Sequence, residues 1–230
     1  DRTNGIQFLI AKSQEIFGSS SFAAHLPITI ASAIMLFVTF KLHQTLIQKQ
    51  EALYSVLILS STYLWFNFAH LATQDIIFAL LVNIGLFSFI KLGNKKEPLY
   101  LFLFGAWIGL AFMMKTFFVF IPIIAITPFL YFKRDILLKN FFWTGLLLGF
   151  CPFLMWSISI YQYTDRNIVL SLLAKLNELS SSNTFTNPFY YYLWNIPINF
   201  LPWSVFSLLG LILNFKNLKK VDSILIFYPI

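Results

Sequence analysis

Charge is scarce in this sequence. Of its 230 residues only 11% are Asp, Glu, Lys or Arg, and the acids number nine. A soluble domain carries roughly 25% charged residues, so a water-soluble globule is excluded. Cysteine is scarcer still. Cys151 stands alone in an apolar run, which rules out an internal disulfide or a Cys-based metal site and leaves it as inert packing. There is no P-loop, no G-x-G-x-x-G, no H-E-x-x-H and no paired-cysteine spacing, so neither a nucleotide-driven enzyme nor a zinc protease has support. The chain opens at Asp1 without an initiator Met or a signal peptide and ends at Ile230 inside an apolar stretch. We therefore expect it to be a piece of a larger protein.

Apolar residues are what the sequence has in plenty. They make up 58% of it, with 28 Phe and a mean hydropathy of +0.75. An integral membrane protein follows. Stretches of about 20 apolar residues fall at 25–42, 51–69, 75–92, 98–114, 116–132, 140–161 and 190–214, and another begins near Ser223. No strand-period alternation competes over these lengths, so the expected fold is all-α, a polytopic transmembrane helical bundle.

The formal net charge of +7 would suggest nucleic acid for a soluble protein. Here the basic residues cluster between apolar runs, and orientation in the membrane accounts for them. The clusters are Lys41/Lys49, Lys91/Lys95/Lys96, Lys133/Arg134/Lys139 and Lys216/Lys219/Lys220. If all are cytoplasmic, an even number of spans separates each pair. Residues 97–132 are too long for one crossing, so the chain turns near Lys115. The external face then holds the N-terminal segment, the His70–Asp75 turn, the Lys115 turn and the loop 162–189. Two segments there, GIQFLIAKSQEIFG with Gly18 as its stop and NIVLSLLAKLNEL, have helical apolar spacing and suit interfacial helices.

Several residues stand out against this background. Lys115 is either a basic anchor snorkelling to headgroups or a cation for an anionic phosphate. Asp75, at the lip of an apolar run, is either a helix cap provided by Thr73-Gln74-Asp75 or an acid in a polar vestibule. His70 fits both settings. Gly105-x-x-x-Gly109 and Gly145-x-x-x-Gly149 are close-packing signatures. Pro122, Pro128, Pro152, Pro197 and Pro202 are expected to kink spans. In NPFYYYLW (187–194), Tyr190 and Tyr191 suit an interfacial belt or a stacking surface for a sugar ring or prenyl tail.

Five stretches in order resemble the polyprenyl- and dolichyl-phosphate-sugar glycosyltransferases. This is the protein mannosyltransferase-like superfamily, which includes the transferase that adds aminoarabinose to lipid A. They are FGSSSFAAHLPITIASAIMLFVTFKL, LATQDIIFALL, GLAFMMKTFFVFIP, GFCPFLMWSI and NPFYYYLWNIPINFLPWSV. The resemblance implies the type C glycosyltransferase fold, with interfacial helices over a cavity on the external face. It implies a polyprenyl-phosphate-linked sugar as donor, a hydroxyl-bearing acceptor and no nucleotide cofactor; the many Phe and Ile fit a bacterial plasma membrane, and the clustered basic residues leave no nucleic-acid partner expected.

DRTNGIQFLIAK is similar to the family's "(D/E)KPPL-x-x-WL" segment. By that match Asp1 falls on a position that holds a divalent metal in some members, and Arg2 on one that contacts the lipid phosphate. Thr3 and Asn4 replace two prolines. The general base implied by the resemblance lies upstream of Asp1. Arg2 and Lys115 are the expected phosphate-binding residues, and Asp75 the orienting acid. The rival class is a secondary transporter with an Asp/Lys site; no internal repeat or broken-helix pair in the sequence favours it.

Overall fold

The computed structural model describes residues 4–47, 49–93, 96–164, 168–181 and 190–215. Asp1, Arg2, the span start near Ser223 and the Lys216/Lys219/Lys220 cluster lie outside the described residues. The fold is all-α, with no strand among the described residues. Its helices are α1 (Gly5–Phe17), α2 (Ser21–Leu46), α3 (Lys49–Ser61), α4 (Tyr63–Phe68), α5 (Asp75–Ile90), α6 (Glu97–Lys115), α7 (Phe120–Phe132), α8 (Asn140–Thr164), α9 (Ile168–Ser181), α10 (Tyr190–Asn199) and α11 (Trp203–Phe215). Single 3-10 stretches, Thr116–Val119 and Arg134–Leu138, flank α7. Three apolar helical runs, Ser21–Leu46, Glu97–Tyr131 and Asn140–Tyr163, have the length and hydropathy to cross a membrane, and Asp75–Ile90 is a shorter apolar helix.

The two Gly-x-x-x-Gly motifs face each other. A Cβ at Gly105 would lie 2.1 Å from the Phe142 carbonyl oxygen, and one at Gly149 would lie 2.3 Å from that of Ala106. A Cβ at Gly109 would meet the Gly149 carbonyl carbon at 2.3 Å, and one at Gly145 the Phe102 oxygen at 2.1 Å. No side chain fits between these backbones, which is how small residues bring apolar helices together without a hydrophobic driving force. The pairing runs from Gly105 with Phe142 to Gly109 with Gly149, so α6 and α8 are parallel. The Lys139 ammonium donates to the Glu97 carboxylate where both helices begin.

Parallel neighbours require the chain between them to return. It does so through α7. Val119 and Ile126 are buried with Phe89, Phe104 and Trp107 in one core, and the Lys133 ammonium lies 5.2 Å from the Phe89 ring centroid, at the far end of α5. The expected turn near Lys115 is therefore present, and its pivot is Thr116. That residue has φ 47° and ψ −117°, close to the first central position of a type II′ turn, a place dominated by glycine.

A second core lies under α1. Ile6 packs with Ile28, Ala31 and Met35 of α2, with Ile76, Ile77 and Leu80 of α5, and with Met114 of α6. The helix expected from GIQFLIAKSQEIFG is α1, and it ends at Gly18, whose φ of 82° a side chain rarely adopts. NIVLSLLAKLNEL likewise forms most of α9.

Two expected spans are interrupted. The 51–69 span breaks at Thr62, whose hydroxyl donates to the Leu59 carbonyl at 2.8 Å and accepts from the Trp65 amide at 3.3 Å. Thr62 thereby caps α4 and ends α3. The 190–214 span breaks at residues 200–202, between α10 and α11. Pro202 lies in this break rather than kinking a helix, as its missing N–H favours. Pro122 occupies the first turn of α7, where that N–H is not needed, while Pro128, Pro152 and Pro197 lie inside helices. Pro27, inside α2, is a further helical proline.

Candidate functional site

The basic residues gather at one end of the bundle. Lys91 and Lys133 lie over Phe87 and Phe89 near the end of α5, Lys139 pairs with Glu97, and Lys41 follows on the last turns of α2. The opposite end carries Asp75, Lys115, His70 and the start of α1. There the Lys115 ammonium donates to Asp75 Oδ1.

Local structure explains why these two meet. Asp75 is the first residue of α5 and Lys115 the last of α6. An acid at a helix N-terminus and a cation at a C-terminus each oppose the exposed partial charge of the helix end, worth about 0.3–1 kcal/mol apiece. Antiparallel packing of α5 and α6, through a turn with Gly93 at φ 93°, sets the two termini side by side. The cap expected from Thr73-Gln74-Asp75 is met in position, with Asp75 as the acid of the first turn, but no side chain of the three makes a cap bond. The N-cap is Gln74, in helical conformation and without a side-chain cap bond, and the Asp75 carboxylate points to Lys115 instead.

The pair is neither sealed nor free. The Lys115 side chain is 24% exposed and that of Asp75 38%. The ammonium lies 5.6 Å from the Phe78 ring centroid and 5.7 Å from that of Phe118, within cation–π range. Beneath it, Ile76, Ile77 and Met114 belong to the second core, so the charge sits on a packed floor. Such a half-buried ammonium, one side fixed and one side open, can bind an anion entering from water or headgroups.

Two other features finish this end. His25 donates from Nδ1 to the His70 carbonyl oxygen at 2.5 Å, tying the start of α2 to the segment before α5. His70 thus contributes its backbone, while its ring packs edge-on to Phe66 at 5.9 Å. Gly5, the first residue of α1, is buried against Met113 and Met114.

Of the residues singled out in the sequence, the structure brings Asp75 and Lys115 together. Tyr190 and Tyr191 begin α10, with the Tyr191 ring 5.6 Å from Trp194. The extensive packing of α5 and α6 is with each other, with α2 and with α8 rather than with α10. Asp1 and Arg2 lie outside the described residues. No group of three His, Cys, Asp or Glu that could hold a metal occurs among the described residues.

Sequence reasoning missed Phe78, Phe118 and Gly5. Phe78 lies three residues from Asp75 on α5, so helical spacing marks it as a neighbour of the pair, whereas Phe118 meets Lys115 through the turn at Thr116. Gly5 carries no local signal.

An all-α, polytopic membrane fold with an acid–base pair at the end opposite its basic clusters defines an integral membrane protein with a candidate site at one membrane face. Residues 1–158 match the family of dolichyl-phosphate-mannose-protein mannosyltransferases, and the chain belongs to that family of membrane glycosyltransferases. No curated protein and no solved structure matches it. Family membership supports the transferase over the transporter.

Proposed function

We propose that the protein transfers a sugar from a polyprenyl-phosphate carrier to an acceptor hydroxyl on the external face of a bacterial plasma membrane. The observation that carries this reading is the half-buried Lys115–Asp75 pair at the end opposite the basic clusters. In that orientation the clusters follow the positive-inside rule. The seven spans and the start of an eighth expected from the sequence belong to the same reading.

In such a transfer the bond between the sugar C1 and the phosphate oxygen breaks, and a bond from C1 to the acceptor oxygen forms. The acceptor proton passes to a carboxylate, and the phosphate leaves as a monoester with one more negative charge. Lys115 and Arg2 are the proposed cations that stabilise that charge. Arginine suits the task because its fork matches two phosphate oxygens. Asp75 holds Lys115 in place, and Tyr190 and Tyr191 offer rings for the sugar or the prenyl tail. The proposed base lies upstream of Asp1. A divalent metal at Asp1 would supply further charge stabilisation.

The test supplies radiolabelled polyprenyl-phosphate sugars and a hydroxyl acceptor pool to membranes containing the protein. Transfer that falls at least about a hundredfold in Lys115→Ala, at equal expression, supports the reading. Undiminished transfer in Lys115→Ala sinks the phosphate role. Solute uptake into vesicles without any lipid-linked donor points to a transporter.

A further inference from the structure

The first turn of α1 approaches the last turn of α6 more closely than any residue but glycine permits. A Cβ built on Gly5 would lie 2.8 Å from the Met113 carbonyl oxygen, 2.9 Å from Met114 Sδ and 3.1 Å from Met114 Cε. The methionine tip can swing aside. The carbonyl is helix backbone and cannot, so any larger residue must push α1 and α6 apart. Next after Met113 and Met114 comes Lys115, and then Thr116, where the chain takes its left-handed turn.

We infer that Gly5 is a positioning residue for Lys115. With Gly5 seated on Met113 and Met114, α1 braces the end of α6 on one flank, and Asp75 holds the ammonium from α5 on the other. Ile6, directly after Gly5, is buried in the same core as Met114 and Ile76, so the brace is continuous with the floor under the ion pair. Nothing else in the neighbourhood requires a glycine. Gly5 begins a helix, where it costs backbone entropy, and its φ is not in the left-handed region. The contact with α6 is the physical reason for its presence. It also ties the entry of α1, three residues after Arg2, to the turn that carries the second proposed phosphate-binding cation.

The inference rests on the phosphate reading of Lys115, and the experiment separates the two. Binding of tritiated polyprenyl phosphate, the product common to any sugar donor, is measured on the protein in lipid nanodiscs, alongside the melting temperature of each variant. Lys115→Ala is expected to weaken binding by about tenfold or more. Gly5→Ala is expected to weaken it several-fold and Gly5→Val by about tenfold or more, because a sub-ångström shift of a fixed charge is enough to misalign it. Phe17→Ala, at the far end of α1, leaves binding unchanged.

If Lys115→Ala binds as wild type, the phosphate reading falls and takes the inference with it. If Lys115→Ala weakens binding while folded Gly5→Ala and Gly5→Val bind as wild type, the inference alone is overturned. Should Gly5→Val fail to fold, Gly5→Ala with its melting temperature decides the matter. A lower melting temperature with unchanged affinity means that Gly5 only packs.

Discussion

Lys115 and Asp75 are forty positions apart in sequence, yet the ammonium of one donates to the carboxylate of the other where α6 ends and α5 begins. The contact joins two helix termini of opposite partial charge, with Phe78 and Phe118 against the cation. It is the only place at that end of the bundle where the described residues set a cation and an acid of different helices in contact.

The pair predicts a coupling energy. Both groups are partly exposed, so solvent screens their attraction, and a double-mutant cycle of Asp75→Asn with Lys115→Met should give a coupling of about 1 kcal/mol in thermal stability. Its effect on function should be larger. Asp75→Asn leaves the ammonium without its orienting charge, and polyprenyl-phosphate-sugar transfer should drop by about tenfold or more with little change in melting temperature. Equal losses of stability and transfer would assign the pair to packing.

The α6–α8 contact predicts where the bundle is least tolerant. With backbone atoms at 2.1–2.3 Å from a built Cβ, Gly105, Gly109, Gly145 and Gly149 cannot take even alanine without separating the helices. Overpacking of this kind costs about 1–3 kcal/mol. Gly109→Ala should lower the melting temperature in detergent measurably, and Gly109→Leu should abolish folded protein on size exclusion. By contrast Gly210→Ala, where a Cβ meets nothing within 4 Å, should be neutral or stabilising.

How much of this was readable in advance differs by element. The close-packing glycines, though not their pairing with each other, the stop at Gly18 and the turn at Lys115 were legible, because each depends on local spacing or on helix length against bilayer thickness. The break at Thr62 was signalled by the run Ser60-Ser61-Thr62, whose hydroxyls bond back to the helix, but the surrounding apolar residues masked it. The Asp75–Lys115 pair was half legible. Charge parity set both residues on one side, and only tertiary packing brought them into contact. Gly5 was not legible, because what it touches is contributed by α6, more than a hundred residues later.

Thr116 predicts a stabilising substitution. A non-glycine residue at φ 47° and ψ −117° costs about 1–2 kcal/mol. Thr116→Gly removes that cost, and the added freedom of the unfolded chain offsets only part of the gain. We expect Thr116→Gly to raise stability by about 0.5–1 kcal/mol, read as a higher melting temperature, and Thr116→Val to give no gain, since it keeps the branched Cβ. A destabilised Thr116→Gly would mean that the threonine side chain makes a contact worth more than the strain.

The orientation of the bundle predicts a labelling pattern. Cys151 is the one native thiol and is partly buried in α8, so Cys151→Ala gives a clean background. Single cysteines then report each end. Lys12→Cys lies on an exposed position of α1, and Leu138→Cys replaces a side chain that is 81% exposed beside Lys139. In intact cells a membrane-impermeant maleimide should modify Lys12→Cys, and it should reach Leu138→Cys only after permeabilisation. That pattern follows if the clusters around Lys91, Lys133 and Lys139 face the cytoplasm and the Asp75–Lys115 end faces outward. The opposite pattern would place the ion pair on the cytoplasmic side and remove the external-face transfer reaction. Labelling of both before permeabilisation would mean that an even number of crossings separates α1 from the segment after α7, contrary to α1 packing on the end of α6 while Lys139 pairs with Glu97 at its start.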